Sequence, residues 1–152
     1  MDFLRIALLV CHGIVAVLLI GAVTHQAIAL WLPAKRPSHG WWQALGAVHP
    51  ERYVRAVVVL YVTTVLLGML LYPSFSIDVR AAFLDAHRPW ATGLFEVKEH
   101  AAAVGLALLP AYAAVWTPNA SSASRRAFTT LLTVITWWNF LVGHVVNNVH
   151  GL

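Results

Sequence analysis

The chain has 152 residues, 60% hydrophobic and 11% charged, with a mean hydropathy of +0.73 and a formal net charge of +4. Soluble domains are about 45–50% apolar and about 25% charged, so this composition excludes an ordinary water-soluble domain and points to an all-α protein in a lipid bilayer. Its one cysteine, Cys11, excludes an internal disulfide, a cysteine-pair oxidoreductase and a Cys-rich metal site. Nucleic acid is excluded as a partner, because the basic residues flank the apolar stretches and form no patch.

Four stretches reach the roughly 20 residues that cross a hydrocarbon core of about 30 Å. The first predicted helix covers 4–32 ("LRIALLVCHGIVAVLLIGAVTHQAIALWL"), too long for a signal-peptide core and therefore read as a retained span. Cys11 within it is expected to be a small buried packing residue. The next loop, with Pro33, Pro37, Pro50 and the pair Trp41–Trp42, is expected to lie along the interface. The second helix covers 53–72. In the 73–92 loop, Ile77, Ala81 and Leu84 have the spacing of a short interfacial helix. The third helix covers 94–116, with Pro110 expected to kink it. "TPNASSAS" offers several N-caps before the fourth, 127–149.

Short connections predict a single domain over residues 1–152, an antiparallel four-transmembrane-helix bundle. Gly21, Gly68, Gly105 and Gly143 are candidate points of close helix approach. Lys35, Arg36, Arg52, Arg55, Arg125 and Arg126 gather on one side, against Arg5, Arg80 and Arg88 on the other. The positive-inside rule then places the first group in the cytoplasm and both termini on the non-cytoplasmic side of a bacterial-type inner membrane.

Of eight histidines, His39, His49, His87 and His150 fall in loops or the tail, where a solvated surface role is expected. His12, His25, His100 and His144 fall inside spans, where an ionisable residue is a functional candidate because stranding it in lipid is costly. At 1.5 Å per residue, His12 lies about 12 Å, His100 about 9 Å and His144 about 8 Å from the outer ends of their helices, in one layer. His25 is about 20 Å further along, turned about 140° from His12. Glu96 and His100 are four apart, as a supporting carboxylate and its histidine would be. Asn147 and Asn148 follow His144 on its side, and Asn139 is buried one turn earlier. The expectation is that Glu96, Glu99 and His100 turn into the bundle toward His12 and His144, while Lys98 snorkels outward.

Two histidines on facing helices are the usual means of holding b-type haem in such a bundle. Gly13, Ala101 to Ala103 and Gly143 would leave room for the macrocycle, and Arg5, Arg80, Arg88 or Lys98 could pair with its propionates. The expected iron ligands are His12 with His100 or His144, with Glu96 behind them. One haem b is expected, since a second near His25 would have only His49 as partner. A different reading gives His12, His100, His144, Glu96 and Glu99 to a bare Fe, Zn or Cu ion. A third makes the chain a non-catalytic subunit of a respiratory or photosynthetic complex, its polar layer binding quinone or locking the helices.

The helix-one histidine, the sequence "ERYVRAVVVLYVTTVLLGMLL" opening helix two and the lysine early in helix three together resemble the small four-helix membrane proteins that include HemJ-type protoporphyrinogen oxidase and the CopD-like copper-resistance proteins. The resemblance covers roughly residues 5 to 105. It implies haem b, His12 as a ligand and Lys98 as functional. The resulting expectation is a cytochrome b-like oxidoreductase component with no catalytic residue assigned. It would exchange electrons with quinone or partner redox subunits, alone or as a homo-oligomer in the bilayer.

Overall fold

The structure is a computed structural model that describes residues 3–32 and 49–150, all helix, turn or connection with no strand among them. Helix α1 spans Phe3–Trp31. After a 3-10 turn at Pro50–Tyr53, α2 spans Val54–Ser74, α3 spans Pro89–Ala114 and α4 spans Ser122–Val149. Trp41, Trp42, Lys35, Arg36 and His39 lie outside the described residues.

The helix ends follow local chemistry. Ser121 is extended, and its side chain accepts the Ser124 N–H at 3.0 Å, so α4 begins five residues earlier than its apolar run. Helix α3 also begins early, at Pro89, whose missing N–H costs nothing at a first helical position. Pro110 is accommodated inside it. The second predicted helix requires correction. Instead of ending at Tyr72 before a separate interfacial helix, α2 runs through Pro73 into a π-helical segment, Phe75–Leu84, and a last turn, Asp85–His87. Where Pro73 removes a donor, the Phe75 N–H still finds the Leu71 and Tyr72 carbonyls. The wider i→i+5 register then carries the helix onward.

Among the described residues, three helices are long and apolar enough to cross a membrane: Phe3–Trp31, Pro50–His87 and Ser122–Val149. Helix α3 is equally well formed but carries Glu96, Lys98, Glu99 and His100, and it is not among them. Large apolar side chains face outward (Phe3 is 87% exposed), while Gln26, Thr92, Thr129 and Thr136 are buried. Cys11 is exposed too, correcting its expected burial; it lies on an outward strip of α1 with Val10 and Ile14. Several threonines and asparagines bond back within their own helices. Thr63, Thr64, Thr133 and Thr136 donate to carbonyls one turn earlier, as do Asn139 and Asn148. Such bonds satisfy a polar group without water.

The helices run up and down in turn. Trp31 meets Thr130 and Thr24 meets Trp137, which makes α1 and α4 antiparallel. Helix α1 packs between α2 and α4, α4 between α1 and α3, and the α2–α3 side of the square is the sparsest. The inward seam of α3 is Ala91, Phe95, Lys98, Ala102, Gly105, Leu109 and Tyr112, alternating steps of four and three residues as bundle packing demands. At Gly105 that seam comes so close to α2 that a methyl would overlap the Tyr61 hydroxyl, which donates to Ala102 O at 3.1 Å. Gly68 meets the His12 ring and Gly143 the Lys98 stem, each 3.4 Å from where its Cβ would lie, whereas Gly21 faces open space.

A candidate cofactor cavity

Two apolar clusters close the ends of the bundle. One joins Leu19, Val23, Val57, Tyr61, Leu109, Tyr112 and Leu132; the other joins Val79, Leu84, Ala91, Val142 and Val146. Between them lies a cavity of about 890 Å³ lined by all four helices, within the roughly 300–1,000 Å³ of small-molecule and cofactor sites. Its walls are mostly apolar and include Leu71, Phe75 and Leu106. Small residues widen it: Gly13 and Ala16 on α1, Gly68 on α2, Ala102 and Ala103 on α3, and Gly143 on α4. Its polar groups are His12, Tyr61, Thr64, Tyr72, Lys98, Glu99, Thr136, Asn139, His144 and Asn147.

Helix geometry decides which predicted residues reach it. His12 sits on the inner seam of α1 with its ring against Gly68, and its buried Nδ1 has no hydrogen-bond partner. His144 flanks the α4 seam beside Gly143 and lines the cavity, as does Asn147. Asn139 donates to Ile135 O at 2.8 Å, while its Oδ1 is buried without a partner. Glu99 lines the cavity as expected.

Helix α3 corrects three expectations. Lys98 does not snorkel outward: it lies on the inner seam, its ammonium 4.9 Å from the Phe95 ring centroid and its stem against Gly143. His100 and Glu96 are exposed and do not line the cavity. Glu96 offers His100 only its main-chain carbonyl, at 2.7 Å from Nδ1. Its carboxylate instead accepts from Arg80 at 2.6 Å. The i, i+4 relation of Glu96 and His100 does put them on one face, but it is the outer one. The signal that would have shown this is the four–three alternation through Phe95, Lys98 and Ala102, which runs along the face roughly opposite Glu96 and His100 at about 100° per residue. Gly68, Phe95 and Tyr61 were missed as cavity residues for the same reason, since each is legible only as part of a seam.

The remaining candidates lie elsewhere. Arg5 is held by Asp78 at 2.6 Å, and Arg80 also lies 3.6 Å from Asp85, so these two cations are already paired. Arg88 donates to its neighbour's carbonyl at 2.9 Å. That leaves Lys98 as the cation in the cavity. At the far end His25 stacks on Tyr53, with centroids 6.2 Å apart. His87 and His150 both stack on Phe83, at 4.9 and 4.4 Å. Among the described residues, no three His, Cys, Asp or Glu side chains form a group that could hold a metal ion. Comparisons of the chain with protein-family models, curated proteins and solved structures find no match.

Proposed function

We propose that all four helices cross a bilayer and that the cavity holds b-type haem for membrane electron transfer, with His12 and His144 as the iron ligands. One observation carries this reading. Two imidazoles from different helices line one largely apolar cavity of about 890 Å³, and small residues on every wall leave room for a flat macrocycle. Bound there, haem b supplies a one-electron couple at its iron.

The protein's own residues would do the rest. Gly68 packs against the His12 ring, whose Nδ1 has no hydrogen-bond partner among the described residues. Lys98 supplies positive charge for the propionates, and Glu99 beside it offsets that charge when the cavity is empty of anions. The apolar walls exclude water. The reading agrees with the implied helix-one ligand and functional lysine of the HemJ-type and CopD-like resemblance. Electrons would pass to quinone or to partner redox subunits, or between copies in a homo-oligomer, across the exposed apolar faces. A bacterial-type inner membrane with both termini outside belongs to the same proposal. A bare Fe, Zn or Cu ion held by His12, His100, His144, Glu96 and Glu99 is less well supported, because Glu96 and His100 face away from the cavity.

The deciding measurement is a dithionite-reduced minus oxidised absorption spectrum of the detergent-purified protein with a pyridine haemochrome count. A sharp α-band at near one haem per chain is expected. A featureless spectrum from protein made in haem-replete cells would discard the haem and leave the cavity to a quinone.

A further inference from the structure

The two ends of the bundle treat their arginines differently. Where α1 begins and α3 begins, Arg5 and Arg80 are tied to Asp78, Asp85 and Glu96. At the other end, Arg52, Arg55 and Arg126 are exposed, and their guanidinium groups make no ion pair or hydrogen bond among the described residues. The one carboxylate there, Glu51, lies 3.3 Å from His49. The sequence of residues 33–48 contains no Asp or Glu.

Aromatic rings sit beside two of the arginines at this end. The Arg126 guanidinium lies 5.4 Å from the Trp31 ring centroid and that of Arg125 lies 5.7 Å from Trp116. Arg125 is already engaged, donating to Val115 O at 3.0 Å and Thr117 O at 2.8 Å. Tryptophan settles at the headgroup level of a bilayer. Guanidinium groups without a carboxylate partner at that end match a layer of phosphodiesters in charge and in hydrogen-bonding capacity.

We infer that the end formed by Arg52, Arg55 and Arg126 binds the headgroups of anionic phospholipids. This rests on membrane insertion but not on haem. The test uses the full chain in two steps. Co-flotation with phosphatidylcholine vesicles reports insertion alone. Lipid retained by protein extracted from mixed phosphatidylglycerol and phosphatidylcholine bilayers is then counted by native mass spectrometry.

Enrichment of phosphatidylglycerol is expected, each arginine contributing roughly fivefold to the preference at low salt. R52Q/R55Q/R126Q should bring it to parity, while R88Q, at the opposite end, leaves it unchanged. Arg125 is kept because it holds main-chain carbonyls. Parity in the unsubstituted protein, or enrichment that survives the triple substitution, overturns the inference while leaving insertion standing. Displacement by inorganic phosphate at an ionic strength where sodium chloride has no effect also overturns it, assigning the site to a free anion. Failure to float with any vesicle removes the membrane reading and this inference together.

Discussion

Around Gln26 the four helices close on one another; around His12 they stand apart. Gln26 is fully buried, accepts from the Tyr112 hydroxyl at 2.5 Å and donates to Pro50 O at 3.0 Å, tying α1 to α3 and to the turn before α2. His12, about four turns away on the same helix, is half-buried with an unpartnered Nδ1 beside an 890 Å³ space. Unpartnered atoms alone do not separate the halves, since Trp116 Nε1, Thr129 Oγ1 and His25 Nδ1 also lack partners in the closed half. What separates them is side-chain volume on the seams. Tyr61, Leu109, Tyr112 and Leu132 fill one half, whereas Gly13, Ala16, Gly68, Ala102 and Gly143 leave the other open. In lipid there is little hydrophobic force between helices, so association depends on packing and interhelical bonds. The closed half supplies that adhesion, and the open half is free to hold a ligand.

The contrast can be broken most severely at the two proposed haem ligands. His12→Ala and His144→Ala should each abolish haem absorbance, whereas His100→Ala, on the outer face, should leave the spectrum intact; haem retained in both of the first two would end the assignment. Filling the open half tests the space itself. Gly13 lines the cavity with nothing within 4 Å of its missing Cβ, so Gly13→Leu should lose haem while keeping the helical circular dichroism of the parent.

In the closed half the expected effects are on stability. Gly105→Ala would force a methyl against the Tyr61 hydroxyl and to 3.1 Å from Ile135, costing about 1–3 kcal/mol as overpacking does. Gly21→Ala, facing open space, is the matched control. Thermal unfolding in detergent compares the two, and equal midpoints would show that the α2–α3 contact is slack. Gln26→Ala strands the Tyr112 hydroxyl and the Pro50 carbonyl, a loss of about 1–2 kcal/mol in the same assay. Smallest is Ser121→Ala, which removes the α4 cap and should cost about 1 kcal/mol. Amide exchange confined to the first turn of α4 would register it.

Much of this was legible without coordinates. Composition and the long apolar runs determined an all-helical chain with segments long enough for a bilayer, because a backbone in lipid must satisfy its own hydrogen bonds. The serine-rich turn before α4 was legible too, as were the close helix approaches at Gly68, Gly105 and Gly143, though Gly21, expected alongside them, faces open space. Of the residues expected to turn inward, His12, His144 and Glu99 line the cavity. Depth along a helix follows from counting residues, but rotation about its axis depends on which neighbours the helix meets. A shift of one residue turns a side chain by about 100°. Glu96 and His100 therefore looked inward until Arg80, arriving on a π-helical extension of α2, held Glu96 on the outside. Lys98 took the inner position because the Phe95–Lys98–Ala102 seam packs against α4, with Gly143 making room for its stem. The sequence determined which residues share a level; only the packing of the four helices decided which of them share a cavity.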